Sequence, residues 1–153
     1  MKSFRIAFLV SSTVIACTLL IGLLVSAPSA QAQSTFEIGT VDVPFAFQVA
    51  GQKIPPGTYR IEHVSEHVVV LRGSNQAPHS TSVHRAVALV APAKGSVVFH
   101  RYGDTYFLGR VWIAGEVEGM ECPNSRQERE ALQASKQSVA SDTQLALNSS
   151  PRP

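Results

Sequence analysis

Val97-Val98-Phe99-His100-Arg101-Tyr102-Gly103-Asp104-Thr105-Tyr106-Phe107-Leu108-Gly109-Arg110-Val111-Trp112-Ile113 is the densest run of β-forming residues in the chain. Gly103-Asp104 divides it. Glycine at the first central position suits a type II′ turn, whose twist matches two antiparallel strands. The turn fixes a register in which Tyr102 faces Thr105, His100 faces Phe107, Phe99 faces Leu108 and Val97 faces Arg110. One face then carries Val97, Phe99, Tyr106, Leu108 and Trp112, and the other Val98, Phe107, Val111 and Ile113. Both faces are apolar, so the hairpin is expected inside a sheet with cover on each side.

The N-terminus has the form of an address signal. Lys2 and Arg5 precede an apolar run from Ile6 to Val25, and Ala30-Gln31-Ala32 has the small-x-small form of a cleavage site. Residues 1–32 are therefore read as a signal peptide. The run is also long enough to span a bilayer if it is retained. Val14-Ile15-Ala16-Cys17 has the form of a lipidation site at Cys17. Each reading exports the chain, to the periplasm or outside the cell, and a membrane is involved only through an uncleaved or lipidated leader.

Cleavage after Ala32 leaves 121 residues, enough for one domain, with 11 Lys and Arg against 11 Asp and Glu. A balanced charge gives no footprint for nucleic acid. Cys122 is then the one remaining cysteine, which excludes an intramolecular disulfide.

Outward from the hairpin, turn signals recur at short spacing. Val41, Val43, Phe45, Phe47 and Val49 alternate with polar or small residues, the pattern of a strand buried on one face. Pro44 cannot donate to a ladder, which places this strand at an edge or a bulge. Ala50-Gly51-Gln52-Lys53 and Ile54-Pro55-Pro56-Gly57 read as turns. Strands are expected over Thr58–Val64, with Tyr59 and Ile61 inward, over His67–Arg72, and over Ser80–Ala91, where Val83, Val87 and Leu89 share a face with Arg85. Residues 73–78 and 92–95 read as loops, and so does the stretch around Val117.

Ser125-Arg126-Gln127-Glu128 is a capping box, in which the serine bonds the Glu128 amide and the Glu128 side chain reaches back. It predicts a helix over about 125–137, with Leu132 as its apolar contact. Residues 138–153 are polar and small and read as a disordered tail. The fold class is all-β, an antiparallel sandwich or small barrel with a short C-terminal helix, and the domain spans 33–137.

Two constellations carry candidate chemistry. The five histidines lie between residues 63 and 100. His63, His67, His84 and His100 are the candidate metal ligands of an alternative reading as a metal-dependent hydrolase. His79 sits at a loop edge, and His63 and His67 flank a turn, so nothing in the pattern forces them together. Aromatic residues Tyr59, Tyr102, Tyr106, Phe107 and Trp112, with Arg101 and Arg110, form the second group. Of these, Tyr102, Tyr106, Trp112, Arg101 and Arg110 are the candidate ligand platform, and core filling is the competing role. There is no G-x-S-x-G stretch, no His-Glu-x-x-His and no cysteine pair. The expectation is a non-enzymatic binding or structural protein without a cofactor.

The combination Val43-Pro44-Phe45-x-Phe47, Pro56-Gly57-Thr58-Tyr59-x-Ile61, Phe99-x-Arg101-Tyr102-Gly103-Asp104-x-Tyr106-Phe107-Leu108 with Trp112, and Ser125-Arg126-x-Glu128-Arg129-Glu130 resembles a group of uncharacterised small exported β-rich proteins of environmental bacteria. The resemblance spans roughly Val41 to Leu132. It implies export and a β fold, and it implies no ligand or catalytic residue. In that group an apolar residue commonly stands where this chain has Cys122, which implies that Cys122 serves as a small hydrophobe.

Overall fold

The structure is a computed structural model that describes residues 35–135 and 141–149. The leader, including Cys17 and the cleavage site, lies outside the described residues. In chain order the elements are β1 (Phe36–Val43), β2 (Phe47–Val49), β3 (Gln52–Ile54), β4 (Gly57–Ser65), β5 (Val68–Gly73), β6 (His79–Ser82), β7 (His84–Val87), β8 (Ser96–Tyr102), β9 (Thr105–Trp112), β10 (Glu118–Glu121), α1 (Arg126–Ala134), β11 (Ser141–Ala146) and β12 (Asn148–Ser149). Two sheets form. The first runs β12-β1-β4-β5-β6 and the second β11-β8-β9-β10-β7, with β2 pairing β9 in parallel and β3 antiparallel. This is a sandwich and not a closed barrel. Its core holds Val41, Tyr59, Ile61 and Leu71 from the first sheet and Val97, Phe99, Leu108 and Val111 from the second.

The central hairpin forms at the expected turn. Gly103 has φ +62°, and Tyr102 pairs Thr105 across it. Asp104 keeps a negative φ, as a type II′ turn requires. Gly103→Val is expected to cost about 1–3 kcal/mol, because a β-branched residue is forced to positive φ. A shift in the urea midpoint measures it. A methyl at this position would meet nothing within 4 Å, so a loss there reports backbone strain alone.

The expected register holds only near the turn. Val97 pairs Val111, not Arg110, because the ladder shifts between Val98 and Phe99. Gly109 is the extra residue, a bulge that inverts the alternation beyond it. Val111 therefore joins the core face with Val97, and Trp112 leaves it.

A second departure recurs three times. The alternating run from Val41 to Val49 is not one strand. It breaks at Pro44, and β1 lies in the first sheet while β2 lies in the second. Likewise the run expected over Ser80–Ala91 breaks at Val83 into β6 and β7, one in each sheet. The segment around Leu147 repeats this, with β11 on the second sheet and β12 on the first. Val83 and Leu147 are buried at their corners, and Phe45 packs against the core at the Pro44 corner. Burial of such a side chain stabilises by about 1.5–3 kcal/mol, so each corner fastens the sheets where the ladder is interrupted. Val87 and Leu89 lie beyond the Val83 corner and are exposed, against the expected shared inward face.

Smaller corrections have similar causes. Ala50 and Gly51, both at positive φ, form the two-residue loop of a type I′ hairpin, and Gln52-Lys53 continue as strand rather than turn. The stretch after Val117 pairs β7 and β9 as β10. The tail is not disordered over its described part. Residues Ser141 to Ala146 pair β8 from Arg101 to Ser96, and Leu147 is buried. The open edge of β8 supplies the partner that composition alone does not reveal.

Candidate functional site

The hairpin positions two different surfaces. Phe99, Arg101, Tyr106 and Leu108 face the first sheet, and Val98, His100, Tyr102, Phe107, Arg110 and Trp112 face away from it. The expected platform is thereby split. Tyr106 stacks on Phe45 with centroids 3.9 Å apart, and Arg101 lies over its other neighbourhood at 5.5 Å from the ring centroid. Tyr102 meets Phe107 edge to face on the opposite side. Arg101 donates to the Gly103 carbonyl at 2.7 Å, and Arg110 pairs with Glu121 at 3.4 Å. Tyr102, Tyr106, Trp112, Arg101 and Arg110 do not form one concave surface. Their aromatic rings fill space and pair across strands.

The histidines do not converge either. His63 lies near the end of β4, His67 in the turn to β5, His84 on β7 and His100 on β8. His79 bonds Gln52 at 3.0 Å. Among the described residues, no group of three or more His, Cys, Asp or Glu is placed to hold a metal ion.

His100 has a different partner. Its Nδ1 donates to Glu128 Oε1 of α1 at 2.7 Å, with the two side chains 14% and 3% exposed. The hydrogen bond to Glu128 raises the His100 pKa above its ordinary 6.5, outweighing burial. Burial, with the negative charges of Glu128 and Asp142, likewise raises Tyr102. The capping box is thus half formed. Ser125 Oγ accepts from the Glu128 amide at 3.1 Å, but the Glu128 carboxylate is directed at His100. Arg126 pairs with Glu130 as expected, and Leu132 is largely exposed. Glu128 is the buried residue of this helix. The helix ends at Ala134 with Ser135 as its C-cap, short of the expected 137.

Cys122 is buried, and burial pushes its thiol up to about 12. A thiol so protonated is a poor nucleophile.

The concave feature that the sequence did not announce lies between the sheets. A cleft of about 300 Å³ is lined by Phe36 of β1, His63 of β4, Glu66, Arg85 of β7, Ile113, Glu116, and Glu118, Gly119 and Met120 of β10. Its apolar side chains are Phe36, Ile113 and Met120. Its charges are three glutamates against one arginine, and Arg85 pairs with Glu118. The lining comes from separated segments, so no contiguous motif could have marked it. His63 is the one lining residue among the four candidate metal-ligating histidines. A second hollow, on the outer side of the first sheet, contains Arg60 and Arg72, which are paired with Glu37 and Glu62.

Comparison with known proteins gives no relative from which a role could be carried over: no family model, no curated protein and no solved structure matches this chain.

Proposed function

We propose that this chain is an exported, non-enzymatic binding domain whose ligand site is the cleft between the sheets. The leader reading over residues 1–32 and the resemblance to exported β-rich proteins support the address. The cleft lining supports the role, and it is the observation that carries the reading. Phe36, Ile113 and Met120 offer apolar contact, while Glu66, Glu116 and Glu118 outnumber Arg85. Small-ligand sites combine an apolar wall with a few oriented polar groups. Here the balance of charge suits a ligand with an apolar body and a cationic end. The buried, protonated Cys122 thiol and the dispersed histidines support a binding role over catalysis.

Octylammonium, octanol and octanoate share a chain length and differ in charge, and thermal unfolding reads their binding. A ligand at ten times its Kd stabilises by about 1.4 kcal/mol. For a domain of this size that raises Tm by roughly 6 °C. Octylammonium is expected to give the largest rise, and Ile113→Ser to diminish it. An equal response to octanoate would overturn the charge argument. No response to any of the three would overturn the site.

A further inference from the structure

Helix α1 is held to the sandwich in an unusual way. A short surface helix normally docks by an apolar stripe, but the large apolar residue of α1, Leu132, is 41% exposed. The residue it buries is the carboxylate Glu128, set against His100. A second contact to the sandwich is long, from Gln127 Nε2 to the Gly51 carbonyl at 3.4 Å. His100 is set close against its own sheet. Its ring lies over Gly109, where an added methyl would stand 2.6 Å from Nε2. The imidazole is a fixed post and the helix is the part that can leave. Beside the post, on the same face, stand Val98, Tyr102 and Phe107, of which Val98 and Phe107 are buried without belonging to the core between the sheets.

We propose that α1 is a pH-governed cover on the outer face of the second sheet, clamped by the His100–Glu128 ion pair and loosened when the imidazole loses its proton. The charged neighbours of His100 favour its protonated form on balance. Glu128 from α1 and Asp142 from β11 favour the imidazolium, and Arg110 from β9 opposes it. Tyr102, on β8 itself, is raised by burial and then by the charge of Glu128. Once His100 is neutral, Glu128 is a nearly buried anion whose cationic partner has gone, with Asp142 in the same field. Moving the helix outward returns that carboxylate to water, which removes the cost of an unpaired buried charge. The sign follows from the raised His100 pKa. The clamp is at full strength below about 6.5, and it fades as the pH climbs through the raised value.

Amide hydrogen exchange on the full domain, corrected for the intrinsic pH dependence of exchange, tests this. Amides of residues 129–134 report the helix, and amides of β4 serve as the internal reference. Between pH 6 and pH 9 the protection of the helix is expected to fall several-fold relative to β4. His100→Gln and Glu128→Gln should each abolish that difference, and the second variant keeps the test open if the first fails to fold. Equal helix protection at both pH values would overturn the proposal. So would a pH difference that survives in either variant, or an equal loss across β4.

Discussion

Deletion of residues 141–153 is expected to destabilise the domain by more than about 3 kcal/mol, within the range measured for loss of one large buried leucine. Two terms add. The first is Leu147, which is 5% exposed at the corner between the sheets and whose amide donates to the Gly95 carbonyl at 2.9 Å. The second is β11, which pairs β8 over six positions and places Gln144 within 2.8 Å of Ser96 Oγ. Water replaces much of that ladder, so its net share is about 1 kcal/mol per bond at most. Without the tail, the edge of the largely buried strand β8 is left open, and association through it is expected as well. The urea midpoint and sedimentation velocity measure the two effects. Leu147→Ala in the full chain separates them, because it should reproduce the leucine's share of the lost stability without the association. A midpoint unchanged within about 0.5 kcal/mol, the scatter of surface substitutions, would refute the assignment of the tail to the core.

That expectation reverses the reading by composition, and the reason is physical. Small and polar residues prevail in the tail, with serine the commonest, but Thr143, Leu145 and Leu147 stand at period two. Three apolar or β-branched side chains are too few to specify a strand alone. They suffice when a central strand offers a free edge, which is a tertiary fact. The same distinction runs through the molecule. The turn at Gly103-Asp104 was legible because one residue type supplies positive φ cheaply. The bulge at Gly109 was not, because a glycine within a strand marks a bulge, a bend or a close approach equally well. Here it is a bulge and a close approach together, since the His100 ring occupies the space a side chain would need. The sheet-crossing corners were hidden for the opposite reason. Apolar alternation runs through Val43, Phe45 and Phe47 without a break, since both sheets face the same core. The capping box disclosed the start of α1 but not the partner of Glu128, which lies 28 residues away in sequence. Most of the cleft was invisible too. Its lining is assembled by topology from segments far apart in sequence.

The aromatic residues illustrate how the competing roles are decided, and Tyr59 gives the sharpest test. It is 0% exposed and meets Phe47 edge to face at 5.4 Å. Its hydroxyl donates to the Pro55 carbonyl at 2.6 Å and lies 3.1 Å from Gln76 Oε1. On the neighbouring strand the space beside the ring is kept by Gly73, where an added methyl would approach Cε1 to 3.0 Å. Tyr59→Ala is therefore expected to cost about 3–5 kcal/mol, the range for truncating a buried aromatic ring. Tyr59→Phe keeps the ring and removes the hydroxyl, leaving the Pro55 carbonyl without this donor, and should cost about 1–3 kcal/mol. Urea denaturation of both variants fixes the ratio, and a larger loss for alanine means the ring serves by filling space. A residue kept chiefly for ligand contact would show the reverse pattern, with stability preserved in Tyr59→Ala and octylammonium binding lost. The geometry favours the first outcome, because the ring faces Phe47 of the opposite sheet and the cleft is lined by other residues.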